Sequence, residues 1–262
     1  FAIWRGGWPR SLNLKSDRAK LEIAKDLFVQ TYSVDINKIS NTKRNPQIAQ
    51  AILRSYSRNI CTLAETKTIF GDVSANYDLS WATYYSYIED LNDLYIVDDI
   101  EPWCPAIRSK TAIRSSKKRN LIDPSIAVAA LGISPQYFDR DFKTLGFLFE
   151  SLCIRDLKIY SQSFDGRVSY YRDRYGLGAD CVLHLNDGRY ALIEFKLGEQ
   201  EIEAGAKHLC EIETLITQYN ESEKQCKLRL PDLKIVITGK LINYKNRDAL
   251  KADIEAHGGK VV

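Results

Sequence analysis

The turn at Asn186-Asp187-Gly188 constrains the fold of this chain more than any other sequence feature. Asp-Gly between two apolar runs is a strong signal for a tight β-hairpin. The flanking segments, 179–185 and 189–197, are rich in Val, Leu, Ile and Phe and predict two antiparallel strands. With Asp187 at the midpoint, paired residue numbers sum to about 374, and a slip of one residue would move every side chain to the opposite face.

That register brings three polar side chains to one face of the predicted hairpin. Asp180 lies opposite Glu194, and strand alternation places Lys196 on the same face. Opposed carboxylates about 5 Å apart destabilise a sheet unless a cation lies between them. A magnesium-type ion would meet that need, with Asp180 and Glu194 as oxygen ligands. Lys196 would orient a water or stabilise developing negative charge.

Three further groups belong to this interpretation. Glu150 lies among apolar residues on a predicted helix from about 143 to 161, and we expect it to supply another metal ligand. Alternation places His184 on the face of Asp180, where it would border the metal, whereas His208 is expected to pack against its helix neighbours. An alternative stays open, in which Asp180, Glu194 and Lys196 form only a salt-bridge cluster at the sheet edge.

The first half of the chain predicts three helices followed by a strand hairpin. Asn45-Pro46 marks a helix start, a second helix fits 62–70, and Ser80 is a plausible N-cap for a third. Residues 95–97 read as a strand, and two short strands flank a turn at Ser115-Ser116. This order is typical of a winged helix, a variant of helix-turn-helix. Asp123-Pro124 then begins a short helix that stops at Gly132.

The charge pattern argues against sequence-specific DNA reading by the third helix. Between Thr68 and Ile107 there is no Lys or Arg, while eight acids fall inside: Asp72, Asp78, Glu89, Asp90, Asp93, Asp98, Asp99 and Glu101. Phosphates would be repelled there. The predicted hairpin is basic instead, with Arg108, Lys110, Arg114, Lys117, Lys118 and Arg119. We expect Arg114, Lys117, Lys118 and Arg119 to contact nucleic acid, although a solvated basic surface is an equal alternative.

Composition sets the remaining limits. The net charge of +3 comes from 37 basic and 34 acidic residues and is too balanced to identify a polyanion binder. No apolar run approaches the ~20 residues that span a bilayer, and the N-terminus does not resemble a signal peptide. Six scattered cysteines predict reduced thiols in a cytoplasmic protein. The start at Phe1 and the lack of methionine indicate a fragment of a longer chain.

Two resemblances add to this reading. Asp180 with Ile193-Glu194-Phe195-Lys196 resembles the Asp…(Asp/Glu)-x-Lys core of the PD-(D/E)XK nuclease superfamily. Over about residues 1–219 the chain also resembles the C-terminal part of a prokaryotic AAA-family ATPase, which joins an ATPase module to a winged helix and a nuclease-like domain of unknown function. The motifs that carry the second resemblance are Gly6-Gly7-Trp8-Pro9, Lys43-Arg44-Asn45-Pro46, Arg108-Ser109-Lys110, Asp123-Pro124-Ser125, 147–151, Tyr171-Arg172-Asp173 and 194–198.

These resemblances imply both partners and cofactors. ATP would act only through an N-terminal module outside this chain, because the chain contains no Gly-x-x-x-x-Gly-Lys-(Ser/Thr) phosphate loop. The implied partners are that ATPase module and DNA, with Mg²⁺ as cofactor and no membrane. The implied activity is metal-dependent phosphodiester hydrolysis by Asp180, Glu194 and Lys196. The rival interpretation is a non-catalytic module of the ATPase that binds DNA or protein.

The C-terminal tail resembles a different family. Residues 234–241, 246–250 and 254–261 resemble the opening of a BRCT domain of the bacterial DNA ligase type. The alternative is that this strand–helix–strand unit completes the nuclease-like sheet. The sequence thus predicts an α/β (α+β) chain in three parts: a lid-like and winged-helix domain at 1–132, a PD-(D/E)XK nuclease-like mixed-sheet domain at 133–225, and the tail at 226–262.

Overall fold

A computed structural model describes residues 1–105, 116–139, 141–173 and 176–225, with 234–235, 252 and 260–261 in the tail. The chain divides into two compact units, 1–212 and 213–262. Both helices and strands are present, which confirms the mixed α/β class. In the described residues no helix combines the length and apolarity needed to cross a membrane.

Helices predominate in the part of the chain that the structure describes, and the last of them continues past residue 212. The α-helices are α1 (Ala2–Arg5), α2 (Asp17–Gln30), α3 (Ile36–Ile39), α4 (Pro46–Arg58), α5 (Thr66–Ser74), α6 (Trp81–Asp93), α7 (Pro124–Leu131), α8 (Phe142–Ser161) and α9 (Glu199–Gln225). One π-helical segment, Thr31–Asp35, joins α2 to α3, and short 3₁₀ segments cover Pro9–Asn13, Pro135–Asp139 and Gln162–Phe164.

The predicted helix ends are confirmed where a side chain caps them. Asn45 accepts a hydrogen bond from the Gln47 amide at 2.9 Å, and Ser80 accepts one from Thr83 at 3.1 Å. Asp123 caps α7 through Ser125 at 2.9 Å. Gly132 ends α7 with a φ of 67°, in the left-handed region that glycine adopts without strain. These helix ends are decided by contacts within a few residues.

One helix was predicted four residues too early. The sequence predicts 62–70, whereas α5 runs from Thr66 to Ser74. The backbone of the preceding residues bonds across the chain instead: the Cys61 amide donates to Arg119 O at 2.7 Å, and the Arg119 amide donates to Thr62 O at 2.8 Å. Cys61 has a φ of 55°, outside the helical region, and these long-range bonds hold residues 61–62 in a turn, so the helix begins only after them.

The sheet of the first unit has three antiparallel strands in the order β1 (Arg167–Arg172), β2 (Gly178–His184) and β3 (Tyr190–Ile193). Gly178 begins β2 where the two backbones approach closely, because a Cβ added there would lie 2.6 Å from the Tyr171 carbonyl oxygen. Residues 101–103 run along the outer edge of β1, with the Trp103 amide donating to Tyr170 O at 2.7 Å.

A pair of extended segments follows α6. Val97 bridges Leu121 and Ile100 bridges Lys118, both antiparallel. Three helices followed by an antiparallel pairing is the predicted order, while the assignment to the winged-helix class stays a prediction. Two further short strands were predicted around a turn at Ser115-Ser116, of which Ser116 is described and Ser115 lies outside the described residues.

One cluster of buried side chains joins the helices to the sheet. It extends from Ile3 through Leu53 and Leu121 to Leu148 and Cys181. The cluster crosses the predicted boundary at residues 132–133, so the helices and the sheet share a core. In the second unit, β4 (Lys234–Ile235) and β5 (Lys260–Val261) pair in parallel. A strand–crossover–strand arrangement of this kind is expected from either interpretation of the tail, and the BRCT interpretation stays a prediction.

Candidate functional site

A cavity of about 640 Å³ lies beside the end of the β2–β3 hairpin. Its walls come from the segment after α4, from α8, from the strand ends and from α9. Seven of its charged or titratable groups are Lys118, Glu150, Arg172, Asp180, Glu194, Lys196 and His208. Apolar and aromatic side chains complete it, among them Leu63, Phe147, Tyr170 and Tyr171. The cavity therefore combines convergent charge with an aromatic wall, as ligand sites do.

The strand register that places the carboxylates is confirmed. Cys181 pairs with Ile193 and His184 with Tyr190, and both pairs sum to 374 as the turn predicts. The ladder stops at Ile193, however, four residues before the predicted end of the strand. Beyond it, the Asp180 carboxylate accepts the Phe195 amide at 3.1 Å. This side-chain bond replaces the next ladder bond, so Asp180 and Glu194 meet where the two strands separate.

Lys196 lies between the two carboxylates. Its Nζ is 2.5 Å from Glu194 Oε2 and 3.3 Å from Asp180 Oδ2. The Glu194 side chain is only 7% exposed, against 24% for Asp180 and 31% for Lys196. The predicted convergence of these three groups is thus present in the structure, with an ammonium in the position that a cation would need.

Burial and charge shift the proton affinities at this cluster. Burial raises the pKa of Glu194, and the nearby Asp180 charge raises it further against the hydrogen bond from Lys196. Burial alone would lower the pKa of Lys196, but the bond to Glu194 and the charge of Asp180 raise it overall. Lys196 therefore keeps its positive charge while it is held between the acids.

Glu150 has a different partner from the one predicted. Its Oε1 lies 2.6 Å from Lys118 Nζ, and both side chains are less than a tenth exposed. Lys118 also donates to the backbone carbonyl of Asp180 at 2.8 Å. Glu150 borders the same cavity as Asp180 and Glu194 and is paired with a buried ammonium, and its role as a metal ligand stays a prediction.

Burial and charge also shift the pKa values of Lys118 and Glu150. Burial raises the pKa of Glu150 to about 7, although the charge of Lys118 opposes that rise. The charges of Glu150 and Asp180 raise the pKa of Lys118 against its own burial. Lys118 therefore stays charged, and Glu150 changes protonation near neutral pH.

The predicted basic surface is corrected at two positions. Lys118 and Arg119 are 6% and 7% exposed. Lys118 points into the cavity, and the Arg119 guanidinium donates to Asp99 at 2.6 Å and to the Ala64 carbonyl at 2.9 Å. Their charges are used inside the fold, so they do not form an exposed surface. Lys117 is exposed beside Glu101 at 2.6 Å, and Arg108, Lys110 and Arg114 lie outside the described residues.

The acidic stretch is also less negative than its sequence indicates. Five of its eight acids form ion pairs with Arg or Lys from other parts of the chain: Asp72, Asp90, Asp98, Asp99 and Glu101. Each ion pair neutralises an acid whose basic partner is not visible in the sequence pattern. The repulsion of phosphates expected around α6 is reduced accordingly.

Neither His208 nor His184 lies where its sequence context indicated. His208 of α9 lies on the cavity, with Nδ1 3.6 Å from Glu194 Oε1, although its sequence context indicated packing. His184 was expected near the carboxylates, but it hydrogen-bonds with Ser169 Oγ at 3.0 Å and borders Trp103.

The donor set at the hairpin end fits a magnesium-type ion. Mg²⁺ is commonly held by one or two carboxylates, with water and substrate phosphate as its other ligands. Asp180 and Glu194 supply two such carboxylates on an accessible cavity. Across the residues that the structure describes, no three His, Cys, Asp or Glu side chains converge as a metal-binding group. Further ligands would therefore be water, backbone or substrate.

Comparison with known families divides the chain between two models. Residues 1–137, more than half of the 262, match the family described as Domain of unknown function (DUF8612), and the chain belongs to that family. Residues 145–251 match Domain of unknown function (DUF4143). The second match extends past residue 226, where the tail was predicted to begin. Searches of curated proteins and of solved structures found no match.

The cavity takes residues from both matched regions. Residues 61–63 and Lys118 belong to the first, whereas Glu150, Asp180, Glu194 and His208 belong to the second. The boundary between the two models, at 137–145, lies a few residues after the predicted one at 132–133. The candidate site is therefore formed by residues from both matched regions, which share one hydrophobic core.

Proposed function

We propose that this chain is the C-terminal region of an AAA-type ATP-binding protein and that its cavity hydrolyses phosphodiester bonds of DNA with Mg²⁺. One observation carries the proposal: Asp180, Glu194 and Lys196 meet at the hairpin end, with atom distances of 2.5 and 3.3 Å to the ammonium. The match at 145–251 supports the wider assignment, since DUF4143 domains are typically found in AAA-ATPase-associated C-terminal regions.

The finer fold assignments belong to the same proposal. Helices α4, α5 and α6 followed by the pairing of 97–100 with 118–121 support a winged helix. The three-stranded sheet with α8 packed on β1 and β2 supports a PD-(D/E)XK-like core. Asp180 and Glu194 lie where β2 and β3 separate, next to Lys196.

Each residue of the cluster has a distinct role in the proposed reaction. Asp180 and Glu194 would hold the ion through their carboxylate oxygens. Bound Mg²⁺ would supply Lewis-acid polarisation and a more acidic water. Lys196, released from the carboxylates, would orient the attacking water and stabilise negative charge on the phosphate oxygens. Lys118 would position Asp180 by holding its backbone carbonyl.

A second candidate is a non-catalytic module that binds DNA or protein for the ATPase. The ion pairs within the cavity favour it, because Lys196 already contacts both Asp180 and Glu194 while Lys118 pairs with Glu150. Carboxylates that already have a cationic partner can be stable without a metal. The two candidates differ in whether metal can displace the Lys196 ammonium.

Cleavage of a labelled DNA strand by the full chain tests the proposal. With Mg²⁺ or Mn²⁺ we expect cleavage that chelation stops and that Asp180→Asn, Glu194→Gln and Lys196→Met each reduce at least 100-fold, the scale of losing one charged stabilising group. Lys25→Met is the control, because Lys25 is exposed on α2 and lies outside the cavity. Absence of cleavage on both single and double strands would support the binding module instead, and metal-independent cleavage would contradict the proposed reaction.

A further inference from the structure

Trp103 is a large aromatic residue held at the edge of the sheet. Its amide donates to Tyr170 O at 2.7 Å, and the Tyr170 amide donates to Glu101 O at 3.1 Å. These backbone bonds fix the segment beside β1 as an added strand. The Trp103 side chain is half-buried, so the indole combines a fixed position with partial exposure.

The indole contacts one ring from each strand of the sheet. Its ring centre lies 6.1 Å from that of Tyr171 on β1, 6.2 Å from His184 on β2 and 4.9 Å from Tyr190 on β3. All four side chains are half-buried. We call these four residues the aromatic platform. It is a surface of rings that spans all three strands of the sheet.

The aromatic platform is continuous with the carboxylate cavity. Tyr171 contributes to both, because it contacts Trp103 and also lines the cavity that holds Asp180, Glu194 and Lys196. A flexible molecule that lay on the platform could therefore extend past Tyr171 to the carboxylates. The cavity volume of about 640 Å³ is in the range of small-ligand sites, which suits one nucleotide unit and not a base-paired helix.

Arginines at both ends of β1 give this surface positive charge. Arg167 begins the strand and Arg172 ends it, about 17 Å apart at 3.3 Å per residue. Both are exposed. Arg172 lines the cavity. Arg167 lies close enough to His184 of the platform to affect it: the pKa of His184 is lowered mainly by burial and further by the charge of Arg167. Aromatic rings between two cationic side chains suit a polymer of flat bases and phosphates, because the bases can stack on the rings and the phosphates can pair with the arginines.

We propose that the aromatic platform binds single-stranded nucleic acid and delivers it to the carboxylate cavity. This substrate class rests on the proposed function for the cleavage step, whereas the binding step stands on the platform itself. Bases of a single strand stack on exposed aromatic rings, and every base has a ring face, so such binding tolerates many sequences. In a duplex the base faces are already stacked on each other and cannot engage Trp103.

Binding of a labelled dT12 strand to the full chain in EDTA tests the inference without the reaction. We expect tighter binding of the single strand than of a 12-base-pair duplex. Trp103→Leu keeps an apolar side chain but removes the ring system, and should weaken single-strand binding about tenfold. Tyr160→Leu is the matched control, because Tyr160 is 66% exposed on α8 and lies outside the platform and the cavity.

The arginines provide a second, independent measurement. Arg167→Gln and Arg172→Gln should each reduce the slope of log affinity against log salt by about one phosphate contact. Arg189→Gln is the control, since Arg189 pairs with Asp187 at the exposed turn. Equal binding by the wild type and Trp103→Leu, tighter binding of duplex, or no binding of dT12 overturns the inference.

Hydrolysis of bis(4-nitrophenyl) phosphate, a small phosphodiester, separates the two proposals. Trp103→Leu should hydrolyse it as the wild type does, because this compound needs no strand binding. If neither protein hydrolyses it while dT12 binding still depends on Trp103, the proposed catalysis fails and the platform stands. If both hydrolyse it while dT12 binding ignores Trp103, the platform fails and the catalysis stands.

Discussion

Lys118 Nζ lies 2.6 Å from Glu150 Oε1 and 2.8 Å from the backbone carbonyl of Asp180, so one buried ammonium joins the extended segment after α6 to α8 and to β2. Lys117, the preceding residue, is exposed and pairs with Glu101. Neighbouring lysines thus have opposite environments. This relationship explains why a run of basic residues is divided between the interior and the surface.

Replacement of Lys118 should destabilise the fold, because Lys118→Met leaves the buried Glu150 without its partner. Breaking a buried pair costs about 3–5 kcal/mol of unfolding free energy, measured by urea denaturation. The double variant Lys118→Met/Glu150→Leu should recover much of that loss. Lys117→Met is the control and should change stability by less than about 1 kcal/mol, as exposed pairs do. Equal effects of the two lysine variants would contradict the pairing.

The stability of the protein should fall as pH rises towards neutrality. Glu150 has a folded pKa of about 7, above its ordinary value, so the folded state holds its proton more tightly than the unfolded state. The stabilisation is complete below about pH 4.5 and is lost as pH rises through 7, by about 3 kcal/mol at most. The raised pKa of Glu194 acts in the same direction.

Glu150→Gln should remove most of that pH dependence, because glutamine does not titrate. Urea unfolding at intervals between pH 4.5 and 8 measures the slope. Glu101→Gln, an exposed acid paired with Lys117, should leave the slope as in the wild type. A slope that Glu150→Gln leaves unaltered would assign the titration to another group.

Metal should stabilise the folded state through Asp180 and Glu194. Binding to the folded state alone adds RT ln(1 + [L]/Kd), roughly 2.7 kcal/mol at a hundredfold excess over Kd. Mg²⁺ or Mn²⁺ should raise the melting temperature of the wild type, and Asp180→Asn or Glu194→Gln should weaken that rise. Lys196→Met should keep the rise or enlarge it, because the competing ammonium is gone. No metal effect, with all three variants destabilised, is the pattern of a salt-bridge cluster.

A methyl group at residue 178 should disturb the strand that carries Asp180. In Gly178→Ala the new Cβ would lie 2.6 Å from the Tyr171 carbonyl, so β1 and β2 must separate. We expect a loss of about 1–3 kcal/mol, typical of overpacking, together with weaker metal stabilisation. Gly146→Ala is the control, since nothing lies within 4 Å of its Cβ in helix α8 and alanine favours helices by up to 1 kcal/mol.

The sequence by itself determined the features that depend on near neighbours. Turn chemistry at Asp187-Gly188 set the register that pairs Cys181 with Ile193, and with it the meeting of Asp180 and Glu194. The side-chain oxygens of Asn45 and Ser80 accept hydrogen bonds from backbone amides two and three residues later, and these bonds set the helix starts. In each case the interacting groups are close along the chain, so a local pattern contains the whole interaction.

Only the tertiary structure decided which charges are inside the fold. Lys118 and Glu150 are 32 residues apart, and burial of either requires the other because an unpaired ammonium or carboxylate in the interior is costly. No local pattern shows that Lys118 and Arg119 are buried while Lys117 is exposed. The approach of His208 to Glu194 and the end of β3 at Ile193 likewise depend on side chains brought together by folding, and these contacts give the cavity its charge.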